Sequence, residues 1–251
     1  MLMKWLLIGL AIAVSSAQAS EVRVAVASNF SAPMQDLVAE FERQSQGKVK
    51  VAYGSSGKFY AQITHGAPFD VFLSADEVKP AALIAAGLAL PYSQFTYAVG
   101  SLVLWSSNFD EITNGYDVLK FGSFNKLAFA NPKLAPYGIA AVQVLDSLGL
   151  KDETSSKWVQ GENIVQTFQF VSTGNADLGF VAGSQIVELQ RLGQLNSAAV
   201  WHIPQSLYSP VKQDAVLLVR GNKNQAAKAF LAFVKSPKAR AIIESYGYAV
   251  P

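Results

Sequence analysis

Strand-like and helix-like patterns alternate along the chain from Glu21 onward, and this alternation limits the fold more than any other feature. Residues 22–26 alternate at a period of two, which predicts a strand, and the apolar residues between Met34 and Phe41 recur at the spacing of one helix face. The same succession continues with strands at 48–53 and 69–75 and with helices at 59–65 and after Asp76. Because parallel strands need a crossover, usually a helix, this order predicts an α/β fold of largely parallel sheets with helices on both faces.

Two long apolar runs change the pattern and predict a division into two lobes. Residues 95–105, FTYAVGSLVLW, are aromatic and β-branched with Gly100 in the middle, and we interpret them as a strand that crosses from one lobe to the other. A second set of β-α units follows, and residues 214–219, DAVLLV, are interpreted as the return crossing. Two crossing strands between two lobes indicate a hinge. The predicted boundaries are 20–100 with 207–251 for lobe I and 101–206 for lobe II.

Residues 1–19 look like a secretory signal peptide. Lys4 supplies a basic start, residues 6–14 are nearly all apolar, and Ala17-Gln18-Ala19 fits the small-residue cleavage pattern. The apolar run is short for a bilayer span, and an uncleaved anchor is the alternative. Cleavage after Ala19 would leave a periplasmic chain that starts at Ser20 and carries no other run of membrane length, so we expect no membrane insertion after export.

The composition excludes several classes of function. The chain has no cysteine, which excludes thiol chemistry and cysteine metal sites. Its net charge of +2, to which Lys4 contributes, is too small to predict nucleic acid or anionic lipid as a partner. Charged residues make up 15% of the chain, against about a quarter in typical domains, so a bound anion would gain little from net charge. We expect a monomer without a cofactor.

The stretch YGSSGKFY, residues 53–60, lies where a predicted strand turns into a predicted helix. Its two glycines allow a close approach of the backbone to a ligand, and Ser55 and Ser56 add hydroxyl donors. The helix that follows has unpaired N–H groups and a partial positive charge at its start. Together these features predict an oxyanion pocket, with a plain serine cap as the alternative. The spacing fits neither a P-loop nor a hydrolase elbow.

Three other turns also place polar groups at a predicted helix start. They are Ala27-Ser28-Asn29, Pro136-Tyr137-Gly138, and the stretch from Gly161 to Ile164, in which Asn163 is a predicted N-cap. With the glycine-serine turn, two such turns fall in each predicted lobe. Ligands of parallel α/β sheets bind beyond the carboxyl ends of the strands, so we expect the four turns to face one cleft.

Metal and catalytic sites are poorly supported by the residue spacing. The two histidines, His65 and His202, lie far apart, and no H-E-x-x-H, EF-hand or G-x-G-x-x-G motif is present. A serine hydrolase built from Ser56, His65 and Asp70 is the alternative from another class. His65 precedes Gly66 at a predicted helix end, where a histidine commonly caps the last carbonyls, and Asp70 is interpreted as a strand-start residue. We therefore expect no enzyme.

With these motifs, the chain resembles the periplasmic molybdate-binding proteins of ABC importers over nearly its whole mature length. The resemblance is carried by VAVASNFSAPMQDLVAEFE, YGSSGKFYAQITHGAPFDVFLSAD, FANPKLAPYGIAA, GNADLGFVAGSQI and SPKARAIIESYGY. It implies a two-lobed solute-binding protein of type II, in which each lobe has a mixed, mostly parallel sheet. Such a protein closes on molybdate or tungstate, holds the anion by neutral donors and delivers it to an inner-membrane ABC permease.

The resemblance also implies the residues that bind the anion. By matching motif they are Ser28 and Asn29 in the first turn, Ser56 in G-S-S-G, Tyr137 in P-Y-G, and Ile164 through its backbone N–H. Many members carry alanine in place of Tyr137 and a tyrosine in place of Ala182. We infer that Tyr137 supplies the phenolic contact from the other side or fills the space, and an Asn29 that only caps a helix is the alternative for that residue.

Neutral donors suit an anion that has no proton. Molybdate and tungstate near neutral pH offer acceptors alone, which N–H and O–H groups satisfy completely. Monohydrogen phosphate also carries a donor, and the matched turns contain no acid to accept it; Glu162 is nearby but unmatched. Sulfate and chromate remain as alternatives, since only cavity size separates them from the larger anions. A subunit that senses the ligand and signals, instead of delivering it, would have the same sequence features.

Overall fold

The computed structural model describes residues 21–45, 47–196 and 199–251, which form two five-stranded sheets with helices packed around them. The predicted signal peptide, residues 1–19, lies outside the described residues. Within the described ranges, no helix has the length and apolar character needed to cross a membrane.

Lobe I contains the first sheet, which combines the beginning and the end of the chain. Its elements are β1 Glu21–Ala27, α1 Ser31–Gln44, β2 Lys48–Gly54, α2 Ser56–Thr64, β3 Val71–Leu73, α3 Val78–Ala85, β4 Phe95–Gly100, β10 Val211–Leu217, α9 Gln225–Val234 and α10 Pro237–Ser245. The strand order is β2-β1-β3-β10-β4. Strand β1 is parallel to β2 and β3, whereas β10 is antiparallel to β3 and β4.

Lobe II contains the second sheet and repeats this plan. Its elements are β5 Leu102–Trp105, α4 Gly115–Phe121, β6 Leu127–Ala130, α5 Pro136–Ser147, α6 Lys151–Thr154, β7 Trp158–Gly161, α7 Ile164–Ser172, β8 Leu178–Ala182, α8 Gly183–Arg191 and β9 Val200–His202. The strand order is β7-β6-β8-β5-β9, with β6 parallel to β7 and β8 and with β5 antiparallel to β8 and β9. The predicted fold class, an α/β protein of two lobes with mixed sheets, is confirmed.

Helices pack on both faces of each sheet, and the strands β3, β6 and β8 are therefore buried at every position. On β1, Val22, Val24 and Val26 pack with α1, α9 and α10, while Ala25 on the opposite face joins a cluster with α2 and α3. Lobe II has the same double core, formed around β6 and β8. The two cores make each lobe rigid enough to present the turns at the strand ends as a fixed surface.

The first crossing between the lobes is confirmed and the second was placed wrongly. The run 95–105 is divided at Ser101 into β4 in lobe I and β5 in lobe II, so the chain does cross there. The run 214–219, in contrast, falls largely within β10, which pairs along its length with β3 and β4 of lobe I. The return crossing therefore lies earlier, in residues 203–210 between β9 and β10. An apolar run alone cannot distinguish a crossing strand from a buried central strand.

Candidate oxyanion-binding site

A small cavity, called the central cavity below, lies between the lobes where the turns predicted from sequence meet. It is lined by Ala27, Ser28, Asn29, Gly54, Ser55, Ser56, Ala75, Ala135, Pro136, Tyr137, Asn163 and Ile164. The five residues implied by the family resemblance, Ser28, Asn29, Ser56, Tyr137 and Ile164, are all among them. Its volume of about 10 Å³ is far below the roughly 300–1,000 Å³ of sites for organic ligands, so a small ion fits it better than an organic solute.

Strand register brings the four turns to the same level. In lobe I, β1 and β2 are parallel and end opposite each other, with Ala27 beside Gly54. In lobe II, β6 and β7 are parallel and Ala130 lies beside Gly161. Each strand is followed by a helix start, so two helical N-termini from each lobe lie at the carboxyl edge of its sheet. Polar turns far apart in sequence thereby line one cavity.

The helix starts around the central cavity provide a positive potential without any cation. The N-terminus of a helix carries about half a positive charge together with unpaired N–H groups. The 3-10 turn Ser28–Phe30 and helices α1, α2, α5 and α7 have no acidic residue in their first turns. Among the described residues, none of those lining the cavity is charged. The potential is thus available to an anion, and it is not neutralised by a side chain.

Two serines of the G-S-S-G turn line this cavity, and their hydroxyl groups differ in hydrogen bonding. Ser56 Oγ accepts a hydrogen bond from the main-chain N–H of Ala75 at 2.9 Å, which leaves its hydrogen free to be donated. Ser55 precedes α2 at the N-cap position, yet its side chain makes no cap hydrogen bond. In the described part of the chain, Ser55 Oγ is the one buried side-chain polar atom without a hydrogen-bond partner. Buried polar groups are costly when unpaired, and an anion in the cavity would supply an acceptor.

The side-chain amide of Asn29 is hydrogen-bonded within the protein. Its Nδ2 donates to Gln213 Oε1 at 2.8 Å and to the Tyr248 hydroxyl at 3.0 Å, so both amide hydrogens are engaged. Asn29 also stands at neither N-cap position, because Ala27 precedes the 3-10 turn and Phe30 precedes α1. What remains of Asn29 for an anion is its main-chain N–H, which lies at the start of the 3-10 turn where such groups lack helical partners.

Tyr137 fills the lobe II side of the cavity, and Ala182 does not reach it. Tyr137 is 2% exposed, and its hydroxyl accepts from Gln213 Nε2 at 3.2 Å. Ala182 ends β8 and is absent from the cavity lining. Burial raises the pKa of the Tyr137 hydroxyl well above its usual value, with smaller contributions from Tyr248 and Tyr97. The phenol therefore stays protonated and keeps a hydrogen to donate.

These pKa shifts lead to an expectation for the pH dependence of anion binding. A tyrosine with a raised pKa contributes its donor hydrogen at every pH below that pKa and loses it only as the pH rises through it. Because an unperturbed tyrosine titrates near pH 10, we expect the affinity for a proton-free anion to change less than about twofold between about pH 7 and about pH 9. Isothermal titration calorimetry at the two pH values checks this; a steep loss of affinity across the interval would reveal a titrating group in the site.

The lobes are closed over the central cavity by direct contacts. The main-chain N–H of Gly57 donates to the carbonyl oxygen of Leu134 at 2.9 Å, which joins α2 of lobe I to the loop before α5 of lobe II. At the rim, Lys58 Nζ lies 3.0 Å from a carboxylate oxygen of Glu162. Both side chains of this ion pair are about half exposed, so it contributes at most about 1 kcal/mol and is weakened by salt. A ligand in the cavity would be enclosed by these contacts.

The hydrolase arrangement is not assembled. His65 ends α2 and its Nδ1 lies 2.7 Å from the carbonyl oxygen of Ala61, which agrees with the predicted capping role. Asp70 accepts from the main-chain N–H of Arg23 at 2.9 Å and not from a histidine, and Ser56 is engaged with Ala75. No group of three or more possible metal ligands occurs within residues 21–45, 47–196 and 199–251.

Sequence reasoning missed a buried hydrogen-bonded network behind the cavity. We call it the Gln213 network; its members are Asn29, Tyr97, Tyr137, Ser184, Gln213 and Tyr248, and all are buried. It joins the lobes, because Ser184 of lobe II donates to the main-chain oxygen of Asn29 at 3.1 Å and Tyr248 lies 3.0 Å from Ser184. One signal was visible in the sequence: Gln213 and Asp214 are polar residues that directly precede the apolar run 215–219, and both lie within β10.

Comparison with known proteins agrees with this geometry. The model of a family described as bacterial extracellular solute-binding protein matches residues 22–249. The chain belongs to this family. This solute-binding protein is 49% identical over 241 residues to the molybdate-binding protein ModA of Azotobacter vinelandii, across 96% of its own chain and 94% of the relative. It is 46% identical over 243 residues to ModA of Rhodobacter capsulatus, across 97% and 92% of the two chains.

Solved structures show the same relationship. The periplasmic molybdate-binding protein of Azotobacter vinelandii superposes on the solute-binding protein described here with a TM-score of 0.86. The aligned parts cover 92% of this chain and 99% of the other and are 39% identical. The overall fold is therefore shared with a protein whose name states a molybdate ligand.

Proposed function

We propose that this protein binds molybdate in the periplasm and delivers it to the inner-membrane permease of an ABC importer. The observation that carries the proposal is the central cavity, in which neutral donors from both lobes converge without a charged side chain among the described lining residues. The relatives named molybdate-binding protein ModA support the same ligand. Tungstate, which has the same charge and shape, is proposed as a second ligand.

The donors account for tight binding without net charge. The hydroxyls of Ser28, Ser56 and Tyr137 and the main-chain N–H of Ile164 are proposed to bind the anion, with the main-chain N–H of Asn29. A hydrogen bond to a charged acceptor contributes about 1.5–3 kcal/mol, and each helix start about 0.3–1 kcal/mol. These contributions are not strictly additive, yet several together match a high-affinity site.

The same donor set favours an anion without a proton. Every proposed contact offers a hydrogen and none offers a carboxylate, so a proton on the ligand would face another hydrogen. Glu162 at the rim is paired with Lys58 and is not part of the cavity lining. Monohydrogen phosphate is thus disfavoured, while sulfate and chromate compete on size alone.

A panel of anions tests the ligand assignment by thermal unfolding. At a ligand concentration of about 100 times the dissociation constant, linkage predicts about 2.7 kcal/mol of stabilisation. For a chain of this size the midpoint should rise by about 5–10 °C if the lobes unfold together. We expect this shift with molybdate and tungstate and little or none with phosphate. A larger shift with sulfate or chromate than with molybdate would reassign the ligand.

The remaining parts of the proposal concern the state of the chain. We propose a non-enzymatic, monomeric binding protein without a cofactor, exported by a signal peptide that is cleaved after Ala19. The proposed lobe boundaries are 20–100 with 207–251 and 101–206. Mass spectrometry of the exported protein would locate its first residue directly.

A further inference from the structure

Gln213 occupies the centre of the Gln213 network, between the two lobes and behind the central cavity. It lies on β10, where the pairing with β4 shifts register, and its side chain is fully buried. Its amide contacts Asn29 and Tyr97 of lobe I and Tyr137 of lobe II. The residues implied by the family resemblance do not include it.

The orientation of the Asn29 amide follows from its contacts with Tyr248. The Tyr248 hydroxyl oxygen lies 2.8 Å from the main-chain oxygen of Asn29 and 3.0 Å from the Asn29 side-chain amide. A phenol has one hydrogen, and the main-chain oxygen of Asn29 takes it at the shorter distance. The amide atom that faces Tyr248 must then be a donor, which identifies it as Nδ2.

The orientation of the Asn29 amide determines that of the Gln213 amide, which in turn determines the direction of the hydrogen bond to Tyr137. The Nδ2 group of Asn29 also lies 2.8 Å from Gln213, so the atom that it meets must be the acceptor Oε1. Gln213 Nε2 therefore faces Tyr137, 3.2 Å away, and donates to its hydroxyl oxygen. Because Nε2 is a donor, it cannot accept the hydroxyl hydrogen of Tyr137, and this hydrogen needs another acceptor.

Two acceptors are available to the hydrogen of Tyr137: the hydroxyl of Tyr248, a neighbour that raises the Tyr137 pKa, and an anion in the central cavity. A hydrogen bond to an ionised acceptor is about twice as strong as one between neutral groups. We therefore expect the hydroxyl hydrogen of Tyr137 to point to the anion when the cavity is occupied. The absence of a side chain at Gly100 leaves space for the Tyr137 hydroxyl and the Gln213 amide. A Cβ at Gly100 would lie 2.0 Å from the Tyr137 hydroxyl and 2.7 Å from Gln213 Nε2, which leaves no room for both groups.

We propose that Gln213 is a positioning residue that determines specificity: by donating to Tyr137, it makes this phenol a hydrogen-bond donor to the bound oxyanion and disfavours anions that carry a proton. The proposal rests on the proposed function of the central cavity. Without the amide, the Tyr137 oxygen would lose the donor that occupies it, and it could accept a hydrogen bond from a ligand such as monohydrogen phosphate while its own hydrogen faces Tyr248.

A double-mutant cycle measured by calorimetry with molybdate tests this role. Gln213→Met keeps the size of the side chain and removes the donor, and Tyr137→Phe removes the phenol. We expect Gln213→Met to weaken binding about tenfold when Tyr137 is present and to cause no further loss in the Tyr137→Phe background. Equal losses in the two backgrounds, or normal affinity of Gln213→Met, would overturn the proposal. Gln169→Met, at an exposed amide on α7, is the control and should bind as the wild type does.

Anion preference provides a second readout that a purely structural role would not move. Gln213→Glu is nearly isosteric, keeps acceptors for Asn29 and Tyr97, and reverses the bond to Tyr137. We expect the affinity for monohydrogen phosphate relative to molybdate to rise about tenfold in Gln213→Glu and in Gln213→Met; an unchanged ratio in whichever variant folds would overturn the proposal.

If the wild-type protein binds none of the oxyanions, the proposed function fails. If it binds molybdate and the cycle is additive, only the role of Gln213 fails.

Discussion

Ser56→Asp should abolish molybdate binding while leaving the protein folded. Ser56 begins α2, is 1% exposed and accepts from the main-chain N–H of Ala75 at 2.9 Å. An aspartate can keep that hydrogen bond, and a negative charge at a helix start is favourable. The same charge would stand next to the dianion. At about 4 Å and an effective dielectric constant of about 20, each pair of unit charges repels by about 4 kcal/mol, which corresponds to a loss of roughly a thousandfold or more.

The measurement is a calorimetric titration with molybdate, in which the variant should give no binding heat. Ser236→Asp is a matched control, because Ser236 caps α10, accepts from the main-chain N–H of Ala239 at 3.2 Å and is absent from the cavity lining. Aspartate is as good an N-cap as serine, so this control should fold and bind normally. Ser56→Ala should lie between the two, with a loss of about tenfold. Normal affinity of Ser56→Asp would place the anion outside the central cavity.

Much of the fold could be predicted because strong local patterns agree with the final structure. The alternation at residues 22–26 and the helix face around Met34 became β1 and α1 with small changes at their ends. Asn163 was predicted as an N-cap, and its side chain accepts hydrogen bonds from the first turn of α7. Capping uses residues close in sequence, so its signal is present in the sequence itself.

Short edge elements and long-range contacts could not be predicted in this way. Strand β9, Val200–His202, has three residues and is stabilised by pairing with β5, which lies far away in sequence. The predicted strand at 69–75 shortens to β3, Val71–Leu73, because only these residues pair with β1 and β10. Tertiary pairing decides such cases, and a local pattern does not contain it.

The site shows the same division between local and long-range information. The turn residues at Ser28, Ser56 and Ile164 were found from motifs, and the structure brings them together. The role of the Asn29 side chain could not be found from a motif, because its partners Gln213 and Tyr248 belong to the last part of the chain. A hydrogen-bonded network across a hinge depends on how two lobes meet, and no sequence spacing records that. The structure therefore distinguishes the residues that line the cavity from Gln213, whose amide orients the hydroxyl of Tyr137.

Gly57→Ala should weaken molybdate binding about 10- to 100-fold by keeping the lobes apart. Gly57 lies in the first turn of α2, and a Cβ at this position would lie 2.9 Å from the carbonyl oxygen and 3.0 Å from the Cα of Leu134 in lobe II. These are backbone atoms that cannot turn aside, so closure would cost about 1–3 kcal/mol, as in an overpacked core. Alanine is the better helix former, so the unliganded variant should be as stable as the wild type or slightly more stable.

Opposite effects on affinity and on stability therefore distinguish a blocked closure from a damaged fold. Gly87→Ala provides the reverse case: Gly87 has φ +70° with no atom within 4 Å of its Cβ position, so alanine is strained there by about 1–2 kcal/mol but touches nothing in the cleft. That variant should unfold at a lower temperature and bind molybdate normally. Small-angle scattering should show compaction on adding molybdate in Gly87→Ala and less compaction in Gly57→Ala. Normal affinity and full compaction of Gly57→Ala would mean that the bond from Gly57 to Leu134 is not part of the ligand-bound state, and the anion would then be held by lobes that meet elsewhere.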